Sequence, residues 1–332
     1  MKISVIGDGG WGTALAMLLC GYGHDVTMWG PFPEYTDEMR KAGENFRYLP
    51  GVRLPAALKH ANDPAEAVDG SDCVVLASPS KFYESVCEKF KGLVADGSLV
   101  VSVTKGLDEK THSRMSEIAS ATLGVKDVVV LSGPSHAEEV SRGLPTAVVA
   151  ACADESLANA AQKLFSGPRF RVYTGTDPLG VEIGGAVKNV IAVAVGVSDG
   201  MGFGDNTRAA LISRGLAEMT RFGCAFGARP ETFTGLSGIG DLVVTCCSRH
   251  SRNHAVGERL GRGERIGEIL SSMKMVAEGV WNSHIVNAMA EEKGVDMPIT
   301  AVVHQFCDNG ISPHAALESL MGRESKPEKF VF

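Results

Sequence analysis

The residue in this sequence best placed to do chemistry is a cation set inside an apolar run. Residues 181–197 read VEIGGAVKNVIAVAVGV, with Lys188 in the middle and Asn189 after it. At this length the run suits a helix better than a strand, and nearly every face is apolar, so it should be buried. Burying an ammonium is costly unless it is paired or used. Gly184 and Gly185, one turn earlier, each add a helix penalty of about 1 kcal/mol against alanine. A chain that keeps both penalties has a use for the cation; the plain alternative is a stem that snorkels to the surface. Desolvation lowers a lysine's pKa toward working pH, which suits a general acid or base. Asp241 is the partner expected to hold it.

A second set of residues points to a phosphate-bearing ligand. Residues 2–7 (KISVIG) form a short β-branched strand that runs into Gly7-Asp8-Gly9-Gly10-Trp11-Gly12 and then a helical stretch. This is G-x-G-x-x-G with a strand before it and a helix after it, the context that makes the motif informative. Gly7 permits the tight turn, Gly9 lets a pyrophosphate approach the backbone, and Gly12 lets helix and strand pack closely. First-turn amides and the helix dipole then hold phosphates. The next strand, DVTMW at 25–29, is followed by Gly30, Pro31 and Phe32 rather than by the Asp or Glu that selects NAD. No arginine stands at that strand end either, and Arg40, Lys41, Arg47 and Arg53 follow at a distance. Either NADP or NAD is allowed, with NADP slightly favoured.

A third set lies at residues 235–253 (GLSGIGDLVVTCCSRHSRN), which are too rich in glycine and polar residues for a plain helix. Arginine, hydroxyls and an amide together supply forked and single donors for a phosphate dianion; a solvated loop with capping residues is the alternative. His136, His250 and His254 are rival acid–base groups, equally explained as polar surface residues. No metal is expected, because there is no HxxxH and no acidic cluster at ligand spacing. A serine hydrolase would need a G-x-S-x-G elbow that is missing.

The elements that position these groups follow an α/β rhythm. Further strands are expected at 72–77, 98–103, 127–131 and 146–151. They end in polar loops at 78–80, 104–105 and 132–136, where a parallel sheet binds its ligands. Lys105 in one of these loops is either a ligand contact or an ordinary turn lysine. Ser135 and Glu138 suggest a capping box. After Val172 the strand signals fade, giving a Rossmann doubly wound parallel sheet over 1–180 and an all-α domain over 181–332. Within the second domain a glycine-rich turn is expected at 198–205. Helices follow at 207–221, 254–261, 266–271, 280–292 and 300–309, then a frayed charged tail, RESKPEKF.

Composition limits the function classes. The 332 residues are 44% hydrophobic and 21% charged, as in a globular protein. A net charge of −7 without basic clusters argues against nucleic acid as partner. The apolar runs are interrupted short of the ~20 residues a membrane helix needs, so no membrane partner is expected. The start reads as strand and turn, not as a signal peptide. Eight scattered cysteines fit reduced thiols in the cytoplasm.

Together these runs resemble the bacterial-type NAD(P)-dependent glycerol-3-phosphate dehydrogenases over essentially the whole chain. The matching segments, in order, are VIGDGGWGTALA, ENFRYLPGVRLP, TKGL, SGPSHAEEV with GLPTA, GGAVKNVIAVAVG, GLSGIGDLVVTC with SRN, and VAEGV. The resemblance implies reversible reduction of dihydroxyacetone phosphate to sn-glycerol 3-phosphate, the precursor of phospholipid backbones, by a cytoplasmic homodimer. It implies Lys188 as catalytic acid/base, and Lys105, Gly133, Ser135, Asp241, Ser251, Arg252 and Asn253 as further substrate contacts. It implies Gly10, Trp11, Lys105, Ala137, Arg252, Val276 and Glu278 as cofactor contacts, beside the loop glycines 7, 9 and 12. Pro31 departs from the family pattern, which commonly has a basic residue there; Arg47 or Arg53 would have to take its place. The competing enzyme class is another two-domain dehydrogenase, of the β-hydroxyacid or ketopantoate type. The competing non-enzyme class is a regulator that binds the dinucleotide without turnover.

Overall fold

The computed structural model describes residues 1–273, 277–308, 310–325 and 327–328. The chain divides into two compact units. The first is Met1–Lys105 with Ser113–Pro178, and the second is Gly106–His112 with Leu179–Phe332. The main division thus falls at 178 rather than 180. Residues 106–112 go with the second unit because Leu107 is packed into that unit's core.

The first unit is one sheet of eight strands among the described residues, in the order β3-β2-β1-β4-β5-β6-β7-β8. They are β1 (Lys2–Ile6), β2 (Asp25–Trp29), β3 (Lys59–Ala61), β4 (Cys73–Leu76), β5 (Leu99–Ser102), β6 (Val129–Ser132), β7 (Thr146–Ala151) and β8 (Phe170–Gly175). Helices α1 (Gly10–Gly21), α2 (Pro33–Ala42), α3 (Pro64–Val68), α4 (Ser80–Lys89), α5 (Met115–Leu123), α6 (Ala137–Val140) and α7 (Glu155–Phe165) connect them. Strand residues alternate between two cores, Val75 and Val101 in one and Val74 and Val100 in the other. Both faces are therefore covered, as a doubly wound sheet requires.

The sheet is not parallel throughout. β7 runs antiparallel to β6, while β8 is parallel to β7. A parallel return needs a long crossover. Residues 133–145 hold only the one-turn α6, so the strand comes back the other way. β3 and β8 escaped the sequence reading because both are edge strands: β3 is the three residues KHA, and β8 alternates buried with exposed positions over half its length.

The second unit is helical among the described residues: α8 (Pro178–Gly200), α9 (Asp205–Ala225), α10 (Pro230–Phe233), α11 (Asp241–Cys247), α12 (Arg252–Gly261), α13 (Ile266–Ser272), α14 (Glu278–Lys293), α15 (Pro298–Asp308) and α16 (Pro313–Met321). A π-turn, Leu236–Gly240, leads into α11. The axis is α8. Val187, Ile191 and Val195 enter one core and Val190, Val193 and Val197 another, which explains an apolar run with no polar face.

That helix is longer than the sequence reading allowed. It reaches 23 residues and is apolar enough to span a bilayer, yet 94% of its apolar window is buried within the protein. It also runs through residues 198–200, so the expected glycine turn shrinks to 201–204. Two glycines in the last turns of α8 serve packing: a Cβ at Gly196 would lie 2.1 Å from the His254 carbonyl oxygen, and one at Gly200 2.2 Å from that of Glu258. Asn309 and part of the charged tail lie outside the described residues.

Candidate active site

In the first unit the sheet reverses its order between β1 and β4, the point where α/β sheets open a crevice for ligands. Gly7 closes β1 there with φ +124°, and a Cβ on it would lie 2.8 Å from the Ala77 carbonyl carbon beyond β4. At Gly12 a Cβ would be 2.1 Å from the Gly7 carbonyl oxygen, and at Gly10 2.6 Å from the Tyr48 carbonyl oxygen. Gly9 differs: nothing lies within 4 Å of its Cβ position, and it caps α1 without a side-chain hydrogen bond. The first turn of α1 carries no acidic residue, and the Trp11 indole N–H is buried with no hydrogen-bond partner. An open glycine, unused first-turn amides and an orphaned donor fit a pyrophosphate-bearing nucleotide.

Residues 44–54 cover this loop. Asn45, fully buried, donates from Nδ2 to the Asp8 carbonyl and to Thr13 Oγ1 at 2.7 Å each. Its Oδ1 accepts from Tyr35 O–H at 2.5 Å and from the Tyr48 amide at 3.2 Å. Sequence reasoning missed Asn45, whose signal was its place inside ENFRYLPGVRLP. Beside it, burial pushes the Asp8 carboxyl up to about 6, against the hydrogen bond from its own amide and the field of Arg47.

The strand-end loops also meet. Lys105 Nζ donates to the Gly133 carbonyl at 3.0 Å and stands 3.5 Å from Ser135 Oγ. Ser135 O–H donates to the same carbonyl at 2.8 Å, so it does not cap α6, and the expected capping box with Glu138 is absent. Ala137 opens α6 and lies 3.7 Å from the Cβ position of Gly10.

In the second unit, Lys188 is 5% exposed. Its Nζ donates to Asp241 Oδ1 at 2.5 Å and to Thr245 Oγ1 at 2.9 Å, and Thr245 O–H donates to the Asp241 carbonyl at 2.6 Å. Asp241 and Thr245 share a face because α11 spaces them one turn apart. Residues 235–253 are not one plain helix: a π-turn precedes the regular Asp241–Cys247, and a new helix starts at Arg252. That turn explains Gly184, whose Cβ position is 2.8 Å from the Ser237 carbonyl oxygen. Protein backbone, rather than a ligand, makes the close approach.

Asn189, next to Lys188, ties the other candidates together. Asn253 Nδ2 donates to Asn189 Oδ1 at 2.9 Å, and the Gly279 amide donates to Asn253 Oδ1 at 2.9 Å. This fixes the start of α12, with Ser251, Arg252 and Asn253, and the start of α14, with Glu278, against α8. Ser251 Oγ accepts from the His254 amide at 3.2 Å and caps α12, leaving Arg252 exposed at its first position. Val276 lies outside the described residues. Of the rival histidines, His254 holds Asp199 at 2.8 Å, and the His250 amide donates to Ser248 Oγ.

The comparisons bear on both units. Residues 2–158 match the family described as NAD-dependent glycerol-3-phosphate dehydrogenase N-terminus, and residues 177–318 match the corresponding C-terminus. The chain belongs to this family. It is 48% identical over 333 residues to the NAD(P)+ glycerol-3-phosphate dehydrogenase of Chlorobium limicola, covering 99% of this chain and 100% of that one. It is 50% identical over 331 residues to that of Geobacter metallireducens, with 99% of each covered. The crystal structure of glycerol-3-phosphate dehydrogenase from Coxiella burnetii matches with a TM-score of 0.93 at 38% identity, covering 97% of this chain and 99% of that one. The chain is an NAD(P)-dependent oxidoreductase acting on a small molecule, with the Rossmann-type sheet and helical second unit expected.

Proposed function

We propose that the chain catalyses the reversible reduction of dihydroxyacetone phosphate to sn-glycerol 3-phosphate, with Lys188 as the proton donor. One observation carries this reading. A buried ammonium held at 2.5 Å by Asp241 sits among the family's motifs, where carbonyl reduction requires an acid. The nicotinamide cofactor, when bound, supplies the hydride. The first unit binds it through the loop Gly7, Gly9, Gly10, Trp11 and Gly12, with Ala137 beside the loop; the family pattern adds Arg252 and Glu278 as cofactor contacts.

Lys188 passes its proton to the carbonyl oxygen as charge develops there, and takes it back when the alcohol is oxidised. Asp241 and Thr245 hold the amine in one orientation, so little reorganisation precedes transfer. Arg252 receives the substrate phosphate as a forked donor, with Ser251 and Asn253 beside it. By the family pattern Lys105, Gly133 and Ser135, which Lys105 Nζ and Ser135 O–H join at the Gly133 carbonyl, are substrate contacts as well. The product serves glycerophospholipid synthesis, and the enzyme works as a cytoplasmic homodimer.

The test is oxidation of NADPH or NADH driven by dihydroxyacetone phosphate, which should be saturable and reversed by glycerol 3-phosphate. Inertness to it together with turnover of a 3-hydroxy acid would overturn the substrate. Binding of the nucleotide with no turnover would overturn the enzyme reading.

A further inference from the structure

The end of β2, where Rossmann sheets choose between NAD and NADP, is built unusually here. A carboxylate at that position binds the adenosine ribose hydroxyls, and a nearby arginine admits a 2′-phosphate. The residue at the strand end is Gly30. Its Cβ position is only 2.5 Å from Asp8 Oδ2, so no side chain can stand there while Asp8 does. A carboxylate is therefore present after all, reaching over from the glycine loop beyond β1. Asp8 is 6% exposed, and its Oδ2 has no hydrogen-bond partner. Such a charge acts on its neighbours through its field, poorly screened by water.

Burial disfavours the Asp8 carboxylate, and the cation whose field works against that is Arg47. Its guanidinium lies 4.1 Å from the centroid of the Tyr35 ring, and its amide donates to Tyr35 Oη at 3.2 Å. Tyr35 O–H in turn donates to Asn45, which grips the Asp8 carbonyl. Arg47 is thus placed by a continuous set of contacts running back to the glycine loop. Glu38 pairs with it at 3.4 Å, but both side chains are about half exposed. Such a surface pair is weak and readily exchanged for a phosphate. Arg40, by contrast, is turned to Asp37 and the His60 carbonyl.

We infer that Arg47 and Asp8 form an opposed pair that sets nucleotide choice: Arg47 receives the 2′-phosphate of NADP, and Asp8 restrains that preference so that NAD is also accepted. This rests on the reading that the glycine loop holds the dinucleotide. It deepens that reading by assigning the choice to two residues outside the usual strand-end position.

Calorimetric titration of the full chain with NADPH and with NADH measures the preference without turnover. Arg47→Ala should weaken NADPH at least tenfold and leave NADH within twofold, and Arg47→Lys should keep most of the NADPH affinity. Asp8→Asn should raise the NADPH-to-NADH affinity ratio severalfold. An equal loss of both nucleotides in Arg47→Ala would reduce Arg47 to a prop for Tyr35 and overturn the inference. So would an unchanged ratio, or a selective NADPH loss found in Arg53→Ala instead. An Asp8→Asn ratio equal to wild type would overturn the restraint. If the unaltered chain bound neither nucleotide, the dinucleotide reading itself would fall. That result is distinct, because in every other failure both nucleotides still bind.

Discussion

Around the glycine loop the working surface is backbone, made by leaving side chains out, whereas around Lys188 it consists of side chains packed against one another. At Gly7, Gly10 and Gly12 any Cβ would collide with a carbonyl group of a neighbouring segment, and only Gly9 faces open space. At Lys188 the cation meets Asp241 and Thr245 from α11, while Asn189 meets Asn253 from α12. The difference has a physical origin. A pyrophosphate is bound by amides and a helix dipole, which any sequence supplies if nothing blocks the approach. A proton donor must be one particular atom, and holding a charged atom in a buried place takes paired partners.

The comparison predicts different failures. The largest effect is expected at Lys188. Lys188→Ala should lower kcat by roughly 10²–10⁴-fold, the usual contribution of a positioned acid or base. It should also lower thermal stability, because Asp241 is left buried without its counter-ion. Cofactor titration should still give near-normal affinity, and near-normal turnover would leave the ion pair purely structural.

The next effect separates the glycines. Gly12→Ala forces a Cβ against the Gly7 carbonyl and should cost about 1–3 kcal/mol, read as a drop in melting temperature. Gly9→Ala, with room around its Cβ and ordinary dihedrals, should melt like the unaltered chain yet bind the nucleotide at least tenfold more weakly. A stability loss at Gly9 as large as that at Gly12 would remove the distinction between a packing glycine and a ligand-facing one.

A smaller effect concerns Glu218 on α9, whose carboxylate accepts from the amides of Ile299 and Thr300 at the start of α15. Burial pushes this group from 4.5 up to about 7 despite those bonds. The folded chain therefore holds a proton that the unfolded chain releases, so this contribution is full below about 4.5 and is lost as pH rises toward 7. At about 1.4 kcal/mol per pKa unit it amounts to roughly 3 kcal/mol. Melting curves from pH 4.5 to 8 should show the unaltered chain losing more stability than Glu218→Gln; parallel curves would mean that Glu218 does not titrate in this window.

The sequence was most legible where a local rule governs. The strand–glycine–helix motif, the long apolar helix with its cation and the Lys188–Asp241 pairing were all readable before coordinates. The ladder from β6 to β7 was not, because its direction depends on the short α6 failing to span a crossover. Neither was the role of Gly184, which looked like a helix defect, or of Gly200, which read as part of a turn; with Gly196 they are contact points with other segments. Asn45 gave no signal of its own, since an asparagine in a loop is ordinary until three segments converge on it.

By itself the sequence determined which chemistry this protein has the groups for: a nucleotide loop, a buried ammonium and an arginine with hydroxyls and an amide for phosphate. These depend on residue type and short spacing, which the chain carries everywhere along its length. Tertiary structure decided how these groups are held, and it brought even the expected Lys188–Asp241 pair together. Lys188 meets Asp241 across 53 positions of sequence, and Asn253 meets Asn189 across 64. Asp8 stands at the end of a strand to which it does not belong. Pairings of that range are fixed by how buried faces stack, and no local pattern in the chain specifies that stacking.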